Sequence, residues 1–180
     1  MVALLAARSA RRGSFTLASG RTSDFYVDCR LTTMSPDGLV LVGPLAHALL
    51  RDSGWAVDSV GGLTMGADPV SYAIAYASAL AGDPVRCFAV RKEAKGHGMG
   101  KRIEGSFRAG DRVVVIEDSM TTGGSALNAA GAIRAEGGAV VGALTLVDRE
   151  EGAREALAAD GIPLLAFTTA AELKGLIPAS

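Results

Sequence analysis

Thirteen residues, Val113 to Ser125, hold the densest set of chemically useful side chains in the sequence, VVVIEDSMTTGGS. A β-branched run ends in two adjacent carboxylates, Glu117 and Asp118. A short segment of hydroxyls and glycines follows: Ser119, Met120, Thr121, Thr122, Gly123, Gly124 and Ser125. Loop amides ahead of a helix form a nest for an anion, and phosphate is the anion that such nests suit. Two carboxylates beside a phosphate repel it, unless the same ligand also presents hydroxyls, for which carboxylates are good acceptors. The pattern therefore points to a ribose 5-phosphate. It is neither a Walker A loop nor a GxGxxG dinucleotide turn. The plainer alternative is a capped strand–turn–helix with an exposed acidic pair.

A second segment, RKEAKGHGMGKR (Arg91 to Arg102), sets five basic residues against one acid, a net charge of +4. The remainder of the chain then carries −5, and the total is −1. A solvated basic loop is the simplest reading. A nucleic-acid patch would need interleaved aromatics for stacking, and these are missing. A cationic lid that closes over a small, highly anionic ligand and excludes water fits the first segment better. His97 within that segment can shift a proton at neutral pH.

The elements that position these segments follow from periodicity. Short β-branched runs at Val57–Val60, Val85–Val90, Val113–Ile116, Val140–Val147 and Leu164–Thr168 alternate with Ala-rich stretches of helical length. This alternation predicts an α/β fold, a mostly parallel central sheet flanked by helices. In such a sheet, ligands bind beyond the carboxyl ends of the strands. Ser35–Pro36 and Asp68–Pro69 read as helix starts, a cap followed by Pro at the first helical position. Pro44 predicts a kink or a later start for the first of these helices. A further helix is expected from Ser125 to Ala135, ended by Gly137–Gly138. MVALLAARSARR reads as an amphipathic surface helix. Phe15–Leu17 and Phe25–Asp28 read as a hairpin or hood outside the core. One domain over residues 1–180 is expected, with about 1–34 as helix and hood and about 35–180 as the α/β core.

Composition limits the partners. The near-balanced charge excludes a broad basic face for nucleic acid or an anionic membrane. No apolar run approaches the length of a membrane span. Two distant cysteines, Cys29 and Cys87, give no disulfide framework and no CxxC metal pair, so a reducing, cytoplasmic setting is expected.

The Val113–Ser125 segment resembles the phosphoribosyl pyrophosphate (PRPP) signature of the type I phosphoribosyltransferases. RKEAKGHG resembles the catalytic loop of the orotate phosphoribosyltransferases. FTLASGRTSDFY (Phe15 to Tyr26) is similar to that family's hood, GGLTMGADP (Gly61 to Pro69) to its pyrophosphate loop, and VDRE (Val147 to Glu150) to its orotate site. Five segments in family order cover most of the chain.

The resemblance implies Mg²⁺-dependent transfer of ribose 5-phosphate from PRPP to orotate, in pyrimidine biosynthesis. It implies that Glu117 and Asp118 hold the ribose hydroxyls, directly or through the Mg²⁺ shell. It gives Ser119 to Ser125 to the 5-phosphate, with Thr121 also close to orotate. Arg91 and Lys92 would bind pyrophosphate, and Lys95 and His97 would reach into the partner's site in a homodimer. Lys95, His97 and Arg91 would be catalytic, Arg149 would pair with the orotate carboxylate, and backbone groups around Phe25 and Tyr26 would read the pyrimidine. Many family members carry Lys where this chain has Ala18, and again where it has Thr64 or Met65. Arg21 is a candidate to compensate. A phosphoribosyltransferase for another base and a non-catalytic PRPP sensor are the competing readings.

Overall fold

The computed structural model describes residues 1–16, 20, 22–93 and 101–177. Eight strands and seven helices alternate along them. A short helix α1 (Val2–Arg8) is followed by an antiparallel hairpin, β1 (Ala10–Thr16) and β2 (Thr22–Val27). Helices α2 (Arg30–Thr33) and α3 (Pro36–Asp52) lead into the main sheet. Its elements are β3 (Ser59–Leu63), α4 (Ala67–Leu80), β4 (Arg86–Val90), β5 (Ile103–Gly105), β6 (Arg112–Met120), α5 (Gly124–Ala135), β7 (Ala139–Asp148), α6 (Ala153–Ala159), β8 (Leu164–Thr169) and α7 (Ala170–Leu176).

The strand order is β5-β4-β3-β6-β7-β8. All neighbours run parallel except β5, which lies antiparallel on the β4 edge. After β5 the chain crosses to the other side of β3, so the order reverses between β3 and β6. That switch point opens a crevice at the carboxyl ends of the two strands. Two apolar clusters cover the sheet faces. One joins Val60, Val114, Ile116, Leu144 and Leu146 to α1, α3, α4 and α7. The other packs Val113, Val115, Phe88 and Ala143 against the alanines of α5. Strands covered on both faces read as continuous apolar runs, which is why they are visible in the sequence.

Several boundaries differ from expectation. The N-terminal helix stops at Arg8, and the residues after it form β1, because Ala10 pairs with Val27. Helix α3 begins where predicted, with Ser35 accepting the Gly38 amide at 3.2 Å, a cap worth about 1 kcal/mol. It continues through Pro44 rather than starting later. Packing of Val42, Ala46 and Leu50 into the core offsets the lost backbone hydrogen bond. Helix α4 starts at Ala67 with Gly66 before it, so Asp68 lies inside the first turn and is not the cap. Helix α5 begins at Gly124, and Gly123 supplies the left-handed turn (φ 79°) that reverses the chain after β6. Among the described residues, no helix is long and apolar enough to cross a membrane.

Candidate active site

A cavity of about 420 Å³ opens at the switch point. Ile116, Glu117, Asp118 and Ser119 from the end of β6 form one wall, with Ser125 and Ala126 from α5. Leu63 and the loop Thr64–Gly66 form a second. Tyr26 to Arg30, from the hairpin end and α2, close a third side, and Lys92 lies at the rim. Four segments from the sequence reading therefore converge on one hollow.

The carboxylates are held with little solvent. Burial pushes the Glu117 carboxyl from its ordinary value near 4.5 up to about 7, although a hydrogen bond from Ser125 works against this. Its Oε2 is buried and has no hydrogen-bond partner among the described residues. Burial also raises Asp118, while the Ser119 amide, donating to Oδ1 at 2.9 Å, and the charge of Arg30 lower it. An unpartnered buried oxygen is costly unless a ligand completes it. These are hard oxygen donors, suited to sugar hydroxyls or to a hydrated Mg²⁺. Among the described residues, no three metal-ligating side chains cluster. The residues fit a Mg²⁺ bound through one or two carboxylates, waters and substrate oxygens, as that ion prefers, rather than one held in an all-protein cage.

Gly66 explains how the second wall approaches the first. A Cβ at that position would lie 2.5 Å from Asp118 Oδ1. Only glycine lets the Thr64–Gly66 loop come this close to the strand end. Gly62, inside β3, has the same role against the Ile116 carbonyl, which a Cβ would overlap.

The other expected residues are placed less uniformly. Thr121 and Thr122 in the turn ahead of α5, and Gly124 at the first position of α5, are exposed and do not line the cavity wall. Gly123 in that turn is buried against Ala153. The Met120 side chain is fully buried in the core, so only its backbone faces other groups, and its carbonyl accepts the Arg149 amide at 2.8 Å. Phe25 is also buried, beneath the hairpin, whereas Tyr26 reaches the cavity.

Arg149 stands behind this wall. Its guanidinium lies 5.3 Å from the Phe25 ring centroid and 3.4 Å from Glu151 Oε1. Its Nε is buried without an acceptor among the described residues. The turn that presents it is fixed by Asp148. One of its oxygens accepts the Glu150 amide at 2.9 Å, and the other pairs with Arg154 at 2.7 Å.

In the basic segment, Arg91 pairs with Glu104 at 3.0 Å, and Lys92 reaches the cavity. Arg102 is bound to backbone and to α5 rather than presented to a ligand: its Nη2 donates to the Arg91 carbonyl at 2.9 Å and to Asn128 Oδ1 at 2.6 Å. Lys95, His97, Ala18 and Arg21 lie outside the described residues. The sequence reading missed Asp28, Cys29 and Arg30, all in the wall. Asp28 and Arg30 stand in the sequence only as two charges just after the second hairpin strand.

No family model matches the chain. Relatives with names are close, however. The chain is 46% identical over 159 residues to the orotate phosphoribosyltransferase of Aquifex aeolicus strain VF5, spanning 88% of this chain and 86% of that one. It is 47% identical over 173 residues to the enzyme of the same name from Rhodopseudomonas palustris strain BisB18, spanning 94% and 91%. Among solved structures, it is similar to the orotate phosphoribosyltransferase of Mycobacterium tuberculosis H37Rv in complex with PRPP. That match has a TM-score of 0.81 and 42% identity over 96% of both chains. With the strand-end carboxylates, the adjoining turn and the Gly66 loop gathered at one switch point, the chain belongs to the orotate phosphoribosyltransferase family.

Proposed function

We propose that this enzyme binds PRPP across the β3–β6 switch point and transfers its ribose 5-phosphate to orotate, releasing pyrophosphate and orotidine 5-phosphate. The observation that carries this reading is the half-buried pair Glu117–Asp118, with Glu117 Oε2 buried and unpartnered among the described residues, at the head of the turn that leads into α5. The pair accepts the ribose hydroxyls. The amides and hydroxyls of Ser119 to Ser125 hold the 5-phosphate at the start of α5, where helix amides favour an anion. Met120 contributes through its backbone alone. Thr121 faces the pyrimidine as well as the phosphate.

As the bond to pyrophosphate breaks, positive charge grows on the sugar and negative charge on the leaving group. Arg91, Lys92, Lys95 and His97 stabilise that leaving group and exclude water. Mg²⁺, when bound, offsets pyrophosphate charge at the Glu117–Asp118 end. The orotate nitrogen attacks as an anion, so no strong protein base is needed. The Arg149 guanidinium, whose Nε has no acceptor among the described residues, donates to the orotate carboxylate, a pairing whose two parallel hydrogen bonds suit this geometry. Backbone groups at Phe25 and Tyr26 read the ring.

We further infer a cytoplasmic enzyme in which one domain spans residues 1–180 and two copies of the chain share their sites. Support for self-association comes from an apolar face on α3 and α4, where Val40, Tyr72, Tyr76 and Leu80 are exposed. This face surrounds a groove of about 680 Å³. The test of function is substrate choice. With PRPP and Mg²⁺ present, orotate should be consumed, while uracil, adenine and hypoxanthine should not. Consumption of a purine instead would replace this reading with that of a sibling enzyme, and tight PRPP binding without turnover would replace it with that of a sensor.

A further inference from the structure

Arg30 is a cation in the cavity wall that none of the family-like segments contains. It opens α2, directly after the hairpin. Asp28 clamps one edge of its guanidinium: Oδ1 accepts Nε at 2.8 Å and the Arg30 backbone amide at 3.1 Å, and Oδ2 accepts Nη2 at 3.0 Å. The Nη1 edge has no protein acceptor among the described residues. About half of the side chain is exposed, so that edge is open to a ligand.

The charges of the cavity favour a role in binding. Its described walls carry three carboxylates, Asp28, Glu117 and Asp118, against two cations, Lys92 and Arg30. Arg91 shares its charge with Glu104, which takes its Nε, and Arg102 is held by backbone carbonyls. A highly anionic donor entering this hollow needs fixed positive charge on its own side. Helix α2 packs against α4, whose first residues follow the Thr64–Gly66 loop on the same wall. Arg30 is therefore near the loop expected to take pyrophosphate, and Thr64 and Met65 in that loop offer no charge.

We propose that Arg30 is a donor-binding residue whose Nη1 edge takes an anionic oxygen of the PRPP diphosphate, with Asp28 holding the guanidinium in that orientation. This rests on PRPP being the donor. Two measurements separate the two claims. The first is calorimetric titration of inorganic pyrophosphate with Mg²⁺, which needs no turnover. Arg30→Met should weaken binding about tenfold or more, the scale of one charge-assisted hydrogen bond. Arg30→Lys should recover only part of that loss, because it keeps the charge but not the fork. The second is steady-state kinetics, where Arg30→Met should raise KM for PRPP by a similar factor and leave KM for orotate unchanged. Equal pyrophosphate binding by wild type and Arg30→Met would overturn the assignment. So would a rise in the orotate KM equal to that for PRPP, or a complete rescue by Lys. Failure of the wild type to consume orotate, with the pyrophosphate difference retained, would remove the orotate reading and leave Arg30 in place.

Discussion

Arg102 joins the basic segment to the helix that heads the phosphate turn: its guanidinium donates to Asn128 Oδ1 on α5 at 2.6 Å while also holding the Arg91 carbonyl. The cation at one end of the segment thus ties the other end down. Nearby, Glu136 Oε1 accepts the amides of Arg102 and Ile103 at 3.2 and 3.3 Å. Charge that the composition assigned to a substrate is partly spent on anchoring. Arg102→Met should lower kcat about tenfold through misplacement of the segment, with a much smaller change in KM for orotate. Steady-state kinetics decide this, and unchanged kcat would free Arg102 from that role.

Lys95 is the residue expected to face the departing pyrophosphate. Lys95→Ala should cut kcat by about a hundredfold or more, with little change in orotate affinity, because its contribution grows as the leaving group gains charge. Binding of orotate measured by calorimetry separates the two effects. Normal turnover by this variant would contradict the lid mechanism.

Glu117 links function to stability. Its carboxyl titrates near 7 in the folded chain and near 4.5 when unfolded. Between these values the folded state keeps a proton that the unfolded state releases. The group's contribution therefore weakens as pH rises through that window and is constant above it. Glu117→Gln removes the buried charge. Denaturant unfolding of the ligand-free protein should show a gain of about 2 kcal/mol at pH 8 and a smaller one at pH 5. The same variant should lose PRPP binding. Lower stability of the variant at pH 8 would show that the buried carboxylate is not a cost.

Two glycines should respond differently to alanine. Gly66→Ala puts a methyl group against Asp118 and should raise KM for PRPP with little loss of fold, since the loop can move outward. Gly62→Ala meets the Ile116 carbonyl inside the sheet and should destabilise by about 1–3 kcal/mol. Thermal unfolding and PRPP kinetics on both variants check this pair. Similar effects from the two would mean that the Gly66 loop is as rigid as the strand.

Much of the fold is legible because its strands are apolar on both faces and its helices rich in alanine. Val113 to Ile116 could hardly be read otherwise. The edge strand β5 was not legible, since IEG is too short and too polar to carry a period. At Pro44 local hydrogen bonding leaves a kink or a later start open, and packing of the first turns decides against the later start. Within the site, the carboxylates, hydroxyls and glycines were visible as a contiguous motif. Met120 was not separable from its neighbours, because alternation along a strand sends its side chain to the core. Asp28, Cys29 and Arg30 were missed because their convergence on the cavity depends on how the hairpin end meets the sheet, which no local pattern encodes.

The most direct test follows orotate absorbance and pyrophosphate release together in one reaction containing PRPP and Mg²⁺. Loss of one orotate per pyrophosphate released is expected, with absorbance restored when orotidine 5-phosphate and pyrophosphate are supplied instead. Pyrophosphate release without loss of orotate would contradict transfer to orotate and leave a hydrolase.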